Sequence, residues 1–338
     1  MRDCRVYVFG CTFYKVSNRL PGLFDCFQSS QHVSRLRDPS TPFFYLWLVS
    51  QRLPPRGKML SEQLEWLYAK YNDTDPRTSR LFLMSESWPV ITIVATYIYF
   101  CGSAGQEYMK NKQPYTLRKT LIVYNCIQVL LSIYVFKEAL MMGWWYDFSY
   151  TCQPVDYSER PSAMLVARVS HFYFLCKLTE LLDTVFFVLR KKERQITFLH
   201  LYHHASMPLY IWIGVRYYAG VSHLTFMGLL NSFVHIFMYS YYMLAAFGPE
   251  MQKSLMAWKK YITIMQIVQF LVVGLHTVQV FVIDCDVPKF PAALMVLNSI
   301  LFCYLFTSFY IANYVKSSTN EVESRSLSRH TLTSRKSD

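Results

Sequence analysis

Charge is scarce in this chain. Asp, Glu, Lys and Arg make up 17% of its 338 residues, against about 25% in soluble domains, which excludes an ordinary soluble enzyme. The shortage is greater on the acidic side, with 22 Asp and Glu against 34 Lys and Arg and a net charge of +12. Nucleic-acid binders carry such an excess on a solvated face. Here basic clusters alternate with uncharged stretches of about 20 residues, the length that crosses hydrocarbon as a helix, so no nucleic-acid partner is expected. The nine cysteines include no CxxC pair, and Cys101, Cys126, Cys176 and Cys303 fall in apolar runs where packing explains them. The 11 glycines form no phosphate-cradling loop, no internal repeat is evident, and the N-terminus is no clean signal peptide.

Apolar residues fill the space that charge leaves, at 53% hydrophobic and 17% aromatic. Seven segments are long enough to span: Trp88–Gly105, Thr120–Gly143, Ala163–Leu189, Phe198–Val215, Leu224–Phe247, Tyr261–Ile283 and Ala292–Val315. The expected fold is all-α: a polytopic membrane protein whose seven transmembrane helices enclose a catalytic cavity facing the cytosol. Ahead of them, Leu60, Leu64, Leu67 and Tyr68 recur at helical spacing. Leu60 to Tyr71 therefore reads as an amphipathic helix, either on the membrane surface or packed as in a soluble protein. Residues 1–58 read as an N-terminal extension that is disordered or not translated, with initiation at Met59. Residues 59–316 form the membrane domain, and 317–338 a polar cytosolic tail.

Loop charge sets the orientation. Lys110, Lys112, Arg118 and Lys119 follow the first segment, Arg190, Lys191, Lys192 and Arg194 the third, and Lys253, Lys259 and Lys260 the fifth; the alternate loops hold only Arg160, Arg216 and Lys289. By the positive-inside rule the richer loops and the C-terminus are cytosolic and the N-terminus luminal. The one glycosylation sequon, Asn72-Asp73-Thr74, then falls on the luminal side. So do the loop cysteines Cys152 and Cys285, as a disulfide or as two free thiols. The ending Arg335-Lys336-Ser337-Asp338 places basic residues where a dilysine-type retrieval signal has them.

The informative residues are ionisable groups placed where lipid should be, each costing roughly 2.5–3.5 kcal/mol at a helix centre. Lys177, Glu180 and Thr184 share one helix face at i, i+3 and i+7, with Asp183 adjacent, and His200, His203 and His204 share another at i, i+3 and i+4. Asn231 and His235 lie one turn apart, followed by Met238, Tyr239, Tyr241 and Tyr242; Thr263, Gln266 and Gln269 follow on the next segment. Rise per residue puts His203 ~15 Å from Arg194, Gln266 ~9 Å from Lys260 and Asp183 ~10 Å from Arg190, so one polar site opening to the cytosol is expected. Arg168 and His276 read instead as interhelical hydrogen-bond partners.

HxxHH boxes occur in membrane di-iron desaturases and hydroxylases, the rival reading. An imidazole-built di-iron centre needs about eight His in several boxes. This chain has nine His, with His32 and His330 in the tails and one box. Metal-free acid, base or nucleophilic imidazole chemistry fits better, so no metal and no cofactor are expected. A seven-span receptor or transporter, which would need no bond-forming chemistry, is a further class.

Lys177-Leu-Thr-Glu180-Leu-Leu-Asp183-Thr184, His200-Leu-Tyr-His203-His204, Asn231-Ser-Phe-Val-His235-Ile-Phe-Met238-Tyr239-Ser-Tyr241-Tyr242 and Thr263-Ile-Met-Gln266-Ile-Val-Gln269, in this order, resemble the four signature boxes of the very-long-chain fatty acid elongases. The resemblance covers about Leu60 to Lys316. It implies a multi-pass protein of the endoplasmic reticulum membrane that joins a long-chain acyl-CoA to malonyl-CoA, releasing CO2 and CoA, as a very-long-chain 3-oxoacyl-CoA synthase. On that reading His203 takes the acyl group, His235 partners it in decarboxylation and condensation, and His200 and His204 set tautomer and orientation against Asp183 or Glu180. Lys177, Glu180, Asp183, Asn231, Tyr239, Tyr242, Gln266 and Gln269 contact substrate, and Lys191, Lys192, Arg194, Lys259 and Lys260 receive the CoA phosphates. Expected partners are membrane lipid, the ketoacyl-CoA reductase, dehydratase and enoyl-CoA reductase of the cycle, and a second copy of the chain. Gln195, five residues before His200, resembles the branch acting on long, often unsaturated chains.

Overall fold

The computed structural model describes residues 6–8, 11–13, 62–65, 69 and 71–315. The chain divides into two units, Met1–Asn72 and Asp73–Asp338. In the first, Val6–Val8 (β1) pairs antiparallel with Cys11–Phe13 (β2). Residues 62–65, 69 and 71–72 are helical, and the remainder of the helix expected over 60–71 lies outside the described residues. So do most of the 1–58 extension and the 317–338 tail.

From Asp73 to residue 315 the described chain is helix and turn. Trp88–Tyr99 (α1) passes through a π turn at Phe100–Ala104 into Gly105–Met109 (α2). Arg118–Ala139 (α3), Pro161–Thr179 (α4), Leu182–Leu189 (α5), Phe198–Tyr218 (α6), Ser222–Ala245 (α7), Pro249–Val282 (α8) and Lys289–Tyr310 (α9) follow. Proline stands in the first turn of α1, α4 and α8, where its fixed φ starts a helix and its missing N–H costs nothing. Helix α7 lies along α3 and α8, α8 lies along α9, and α4 lies along α6.

Among the described residues four helical stretches are long and apolar enough to cross a membrane: Trp88–Met109, Arg118–Trp144, Pro249–Val282 and Lys289–Val315. Their outer faces carry exposed Ile91, Leu130, Leu271 and Leu297, an apolar surface suited to lipid, and the protein is membrane-embedded. Of the seven expected spans, four thus qualify by length and composition among the described residues. The other three expected segments are helical but polar. Ala163–Leu189 is split by a break at Glu180–Leu181, while α6 carries the three histidines with Arg216, and α7 carries His223, Asn231 and His235. Helix α7 alone buries thirteen residues, polar ones among them: these segments face protein, so their composition answers to interior partners.

The core around Phe174, Ile211, Val215, Met295 and Phe302 joins α4, α6, α8 and α9. Gly220, between α6 and α7, adopts φ +96, and a Cβ there would lie 2.6 Å from Val166 Cγ1, so the turn requires glycine. Cys152 and Cys285 form a disulfide with Cα atoms 5.8 Å apart, joining the loop before α4 to the loop before α9. Nearby, Arg77 grips Asp75 at 2.9 and 2.5 Å and donates to the carbonyls of Asp156, Ala163 and Ala219. The interhelical hydrogen bonds expected of Arg168 and His276 are not formed. Arg168 is exposed, and the His276 ring stacks on Phe226 at 4.1 Å with neither nitrogen bonded.

Candidate active site

The last turn of α4 and the middle of α7 build the centre of the site. Lys177 Nζ donates to Glu180 Oε1 at 2.6 Å and to Asn231 Oδ1 at 2.7 Å, with the two ionised side chains 2% and 5% exposed. Tyr173 OH also donates to Asn231 Oδ1, at 2.8 Å. With its oxygen taken twice, the Asn231 amide presents Nδ2 to His235 Nε2 at 3.1 Å. That nitrogen therefore accepts, and Nδ1–H of His235 donates to Glu180 Oε1 at 3.2 Å. The four residues form a closed ring of hydrogen bonds, which satisfies each charge and fixes the His235 tautomer.

The second half is held by α5 and α6. Thr197 caps α6 by accepting from the His200 backbone N–H, which seats the HxxHH box on its first two turns. His200 Nε2 meets Thr184 Oγ1 at 2.8 Å, and its ring lies 4.3 Å from that of His204, which lies 5.2 Å from His203. His203 packs on Phe302 at 5.2 Å. The ring nitrogens of His203 and His204 have no hydrogen-bond partner among the described residues. Helix α6 lies along α4, and both halves belong to one packed core. Pro208, inside α6, lacks the N–H that would bond the His204 carbonyl.

The partners differ from those expected. Glu180 serves His235, Asp183 accepts from Tyr239 OH at 2.7 Å, and Thr184 serves His200. Gln266 reaches only Met238 Sδ at 3.6 Å, Gln269 is buried on α8, and Tyr242 packs on Tyr239. Lys191 donates to the Lys110 carbonyl and, with Lys110, Glu107 and Glu193, lines an open cleft of about 850 Å³ between the α2 and α5 ends. Lys192 and Arg194 are exposed beside it, and Asn72 is exposed. None of the histidines lines this cleft. Sequence reading passed over Tyr97, Tyr173 and the α3 stripe Asn125, Gln128 and Ser132, all buried. Gln128 holds Thr179 Oγ1 at 2.9 Å, where α4 ends. The i, i+3, i+7 spacing of that stripe was the available signal.

Charged and imidazole groups sealed inside a membrane-embedded helical protein are costly to keep and mark a functional site. The chain belongs to the GNS1/SUR4 (ELO) family, which residues 82–322 match. It is 45% identical over 252 residues to very long chain fatty acid elongase 7 of Drosophila melanogaster, covering 74% of this chain and 76% of that one. With very long chain fatty acid elongase 7 of Rattus norvegicus it shares 43% over 247 residues, 72% and 87% of the two chains. With very long chain fatty acid elongase 4 of Homo sapiens it shares 40% over 255 residues, 75% and 80%.

Proposed function

We propose that this protein is the condensing enzyme of fatty acid elongation, a very-long-chain 3-oxoacyl-CoA synthase acting through an acyl-histidine. The observation that carries the reading is the division of labour among the imidazoles. His235 is bonded at both nitrogens, whereas the rings of His203 and His204, stacked edge to face on α6, make no hydrogen bond among the described residues and keep a lone pair, as a nucleophile must; of the two, this reading gives the acyl group to His203. His203 attacks the acyl-CoA carbonyl, the carbon–sulfur bond breaks, and CoA leaves as the thiol with the proton displaced from imidazole. Malonyl-CoA then loses CO2, and the resulting enolate attacks the acyl carbon, forming the carbon–carbon bond and breaking the acyl–nitrogen bond; the released His203 nitrogen takes up one proton from solvent, the proton the overall reaction consumes. Lys177 and Asn231 offer N–H groups to the enolate oxygen in a water-poor site, and His235 supplies the facing imidazole once Asn231 yields to substrate.

In this reading α4–α5, α6 and α7 cross the bilayer with the four apolar helices, making seven spans. The N-terminus is luminal, the C-terminus is cytosolic, and the membrane is that of the endoplasmic reticulum. Lys191, Lys192 and Arg194 meet the CoA phosphates at the cytosolic mouth, and the reductases and dehydratase of the cycle consume the product. The iron-oxidase alternative is not favoured, because the curated relatives are elongases.

Purified protein incubated with acyl-CoA alone tests the covalent step. The expected result is one CoA released per chain and an acyl adduct on the protein, both absent in His203→Ala. A His203→Ala protein that still releases one CoA and carries the adduct overturns the assignment.

A further inference from the structure

Tyr97, on α1, is far in sequence from every signature box, yet its hydroxyl lies 2.7 Å from Thr184 Oγ1, which in turn lies 2.8 Å from His200 Nε2. Tyr97 is 5% exposed and Thr184 fully buried, so no water completes their hydrogen bonds. That fixes the direction of the chain. Tyr97 OH has no other hydrogen-bond partner among the described residues, and a buried donor left unmade costs about 1–3 kcal/mol. The phenol therefore donates to Thr184, Thr184 donates to His200 Nε2, and the proton of neutral His200 sits on Nδ1. The ring is held from two further sides, by Phe187 at 5.0 Å and His204 at 4.3 Å.

The backbone is shaped for this contact. Tyr97, Cys101 and Gly105 are buried at i, i+4 and i+8. A regular helix would carry that face round by about 40° every four residues, and the wider π turn at Phe100–Ala104 takes up the drift. At Gly105 a Cβ would lie 2.9 Å from Val188 Cγ1, one turn beyond Thr184. The missing side chain lets α1–α2 lie close on α5, near enough for a tyrosine to reach across.

We propose that Tyr97 and Thr184 form a two-hydroxyl relay that holds His200 in its Nδ1–H tautomer, making both positioning residues for the imidazoles His204 and His203. The proposal rests on the condensing-enzyme reading and acts through His200, without contact to substrate. The relay is a series connection: the effect of Tyr97 passes through the Thr184 oxygen alone.

The test uses the full chain in detergent or microsomes, following labelled malonyl-CoA into longer acyl chains. Thr184→Val and Tyr97→Phe are expected to lower kcat about 10-fold, with KM for malonyl-CoA within twofold. Thr184→Ser, which keeps the oxygen, is expected to retain at least half of kcat. The double variant Tyr97→Phe/Thr184→Val is expected to equal Thr184→Val alone, because the two act in series. Thermal midpoints in detergent identify any variant that has not folded; in that event Thr184→Ser and Tyr97→Phe carry the comparison. The relay is overturned if Thr184→Val or Tyr97→Phe stays within twofold of wild type, if Thr184→Ser is as slow as Thr184→Val, or if the losses multiply in the double variant. A wild-type protein that incorporates no malonyl label overturns the functional reading and the relay with it. An active wild type with unaffected variants removes the relay alone.

Discussion

Replacing Glu180 by Gln removes one negative charge and little else. The carboxylate is 5% exposed, 2.6 Å from the Lys177 ammonium and 3.2 Å from His235 Nδ1. The amide keeps the shape but leaves a buried cation facing neutral acceptors. Across 2.6 Å, at an effective dielectric of about 20, the attraction lost is ~6 kcal/mol. Removing one partner of a buried pair typically costs about 3–5 kcal/mol, which for a domain of this size lowers the thermal midpoint by about 10 °C. The informative control is Lys177→Met/Glu180→Leu. Both charges vanish, so only the hydrogen bonds to Asn231 and His235 are lost, at about 1 kcal/mol each. The double variant should therefore be more stable than Glu180→Gln while remaining as inactive. The assay is the fraction of monodisperse protein surviving a temperature ramp in detergent, run beside malonyl incorporation. The reasoning fails if Glu180→Gln melts within about 2 °C of wild type, or if the double variant melts below it.

Arg77→Met leaves Asp75, whose side chain is fully buried, without its cation and frees three carbonyls; the same temperature ramp should show a loss of about 3–5 kcal/mol. Cys152→Ser opens a loop of 133 residues, for which chain entropy sets a value of about 5 kcal/mol; the wild type should lose mobility on a non-reducing gel only after thiol treatment, and the variant should show no such shift. If Asn72 faces the lumen, microsomal protein should shift on endoglycosidase digestion and Asn72→Gln should already run at the digested position.

The sequence made the site's own box residues legible, and the structure shows why. Lys177, Glu180, Asn231 and His235 are polar groups at helical spacing in apolar segments, and polarity in such a setting is informative wherever it occurs. Their partners were harder to assign. Asp183 and Glu180 were expected beside His200 and His204, but which carboxylate meets which imidazole depends on rotation of α5 after the break at Glu180–Leu181, which no periodicity records. Tyr97 and Tyr173 are two of 26 tyrosines, and nothing in a run such as Trp88–Tyr99 distinguishes the one that turns inward. The seven helical segments were legible from length. The polarity of α4, α6 and α7 that keeps them from counting as independent spans is the same polarity that marked the site.

The disulfide bears on the order in which the molecule is made. Residues 177 to 269, which include every signature box, lie between Cys152 and Cys285. The bond cannot form until residue 285 has been synthesised and delivered to the compartment that holds residue 152, by which time α4 to α8 have all emerged. Once closed, it makes that stretch a covalent ring from which α1, α3 and α9 leave as tails. A protease that cuts once inside the ring yields no separate fragments until a reductant is added, so a nicked chain retains all four boxes on one molecule.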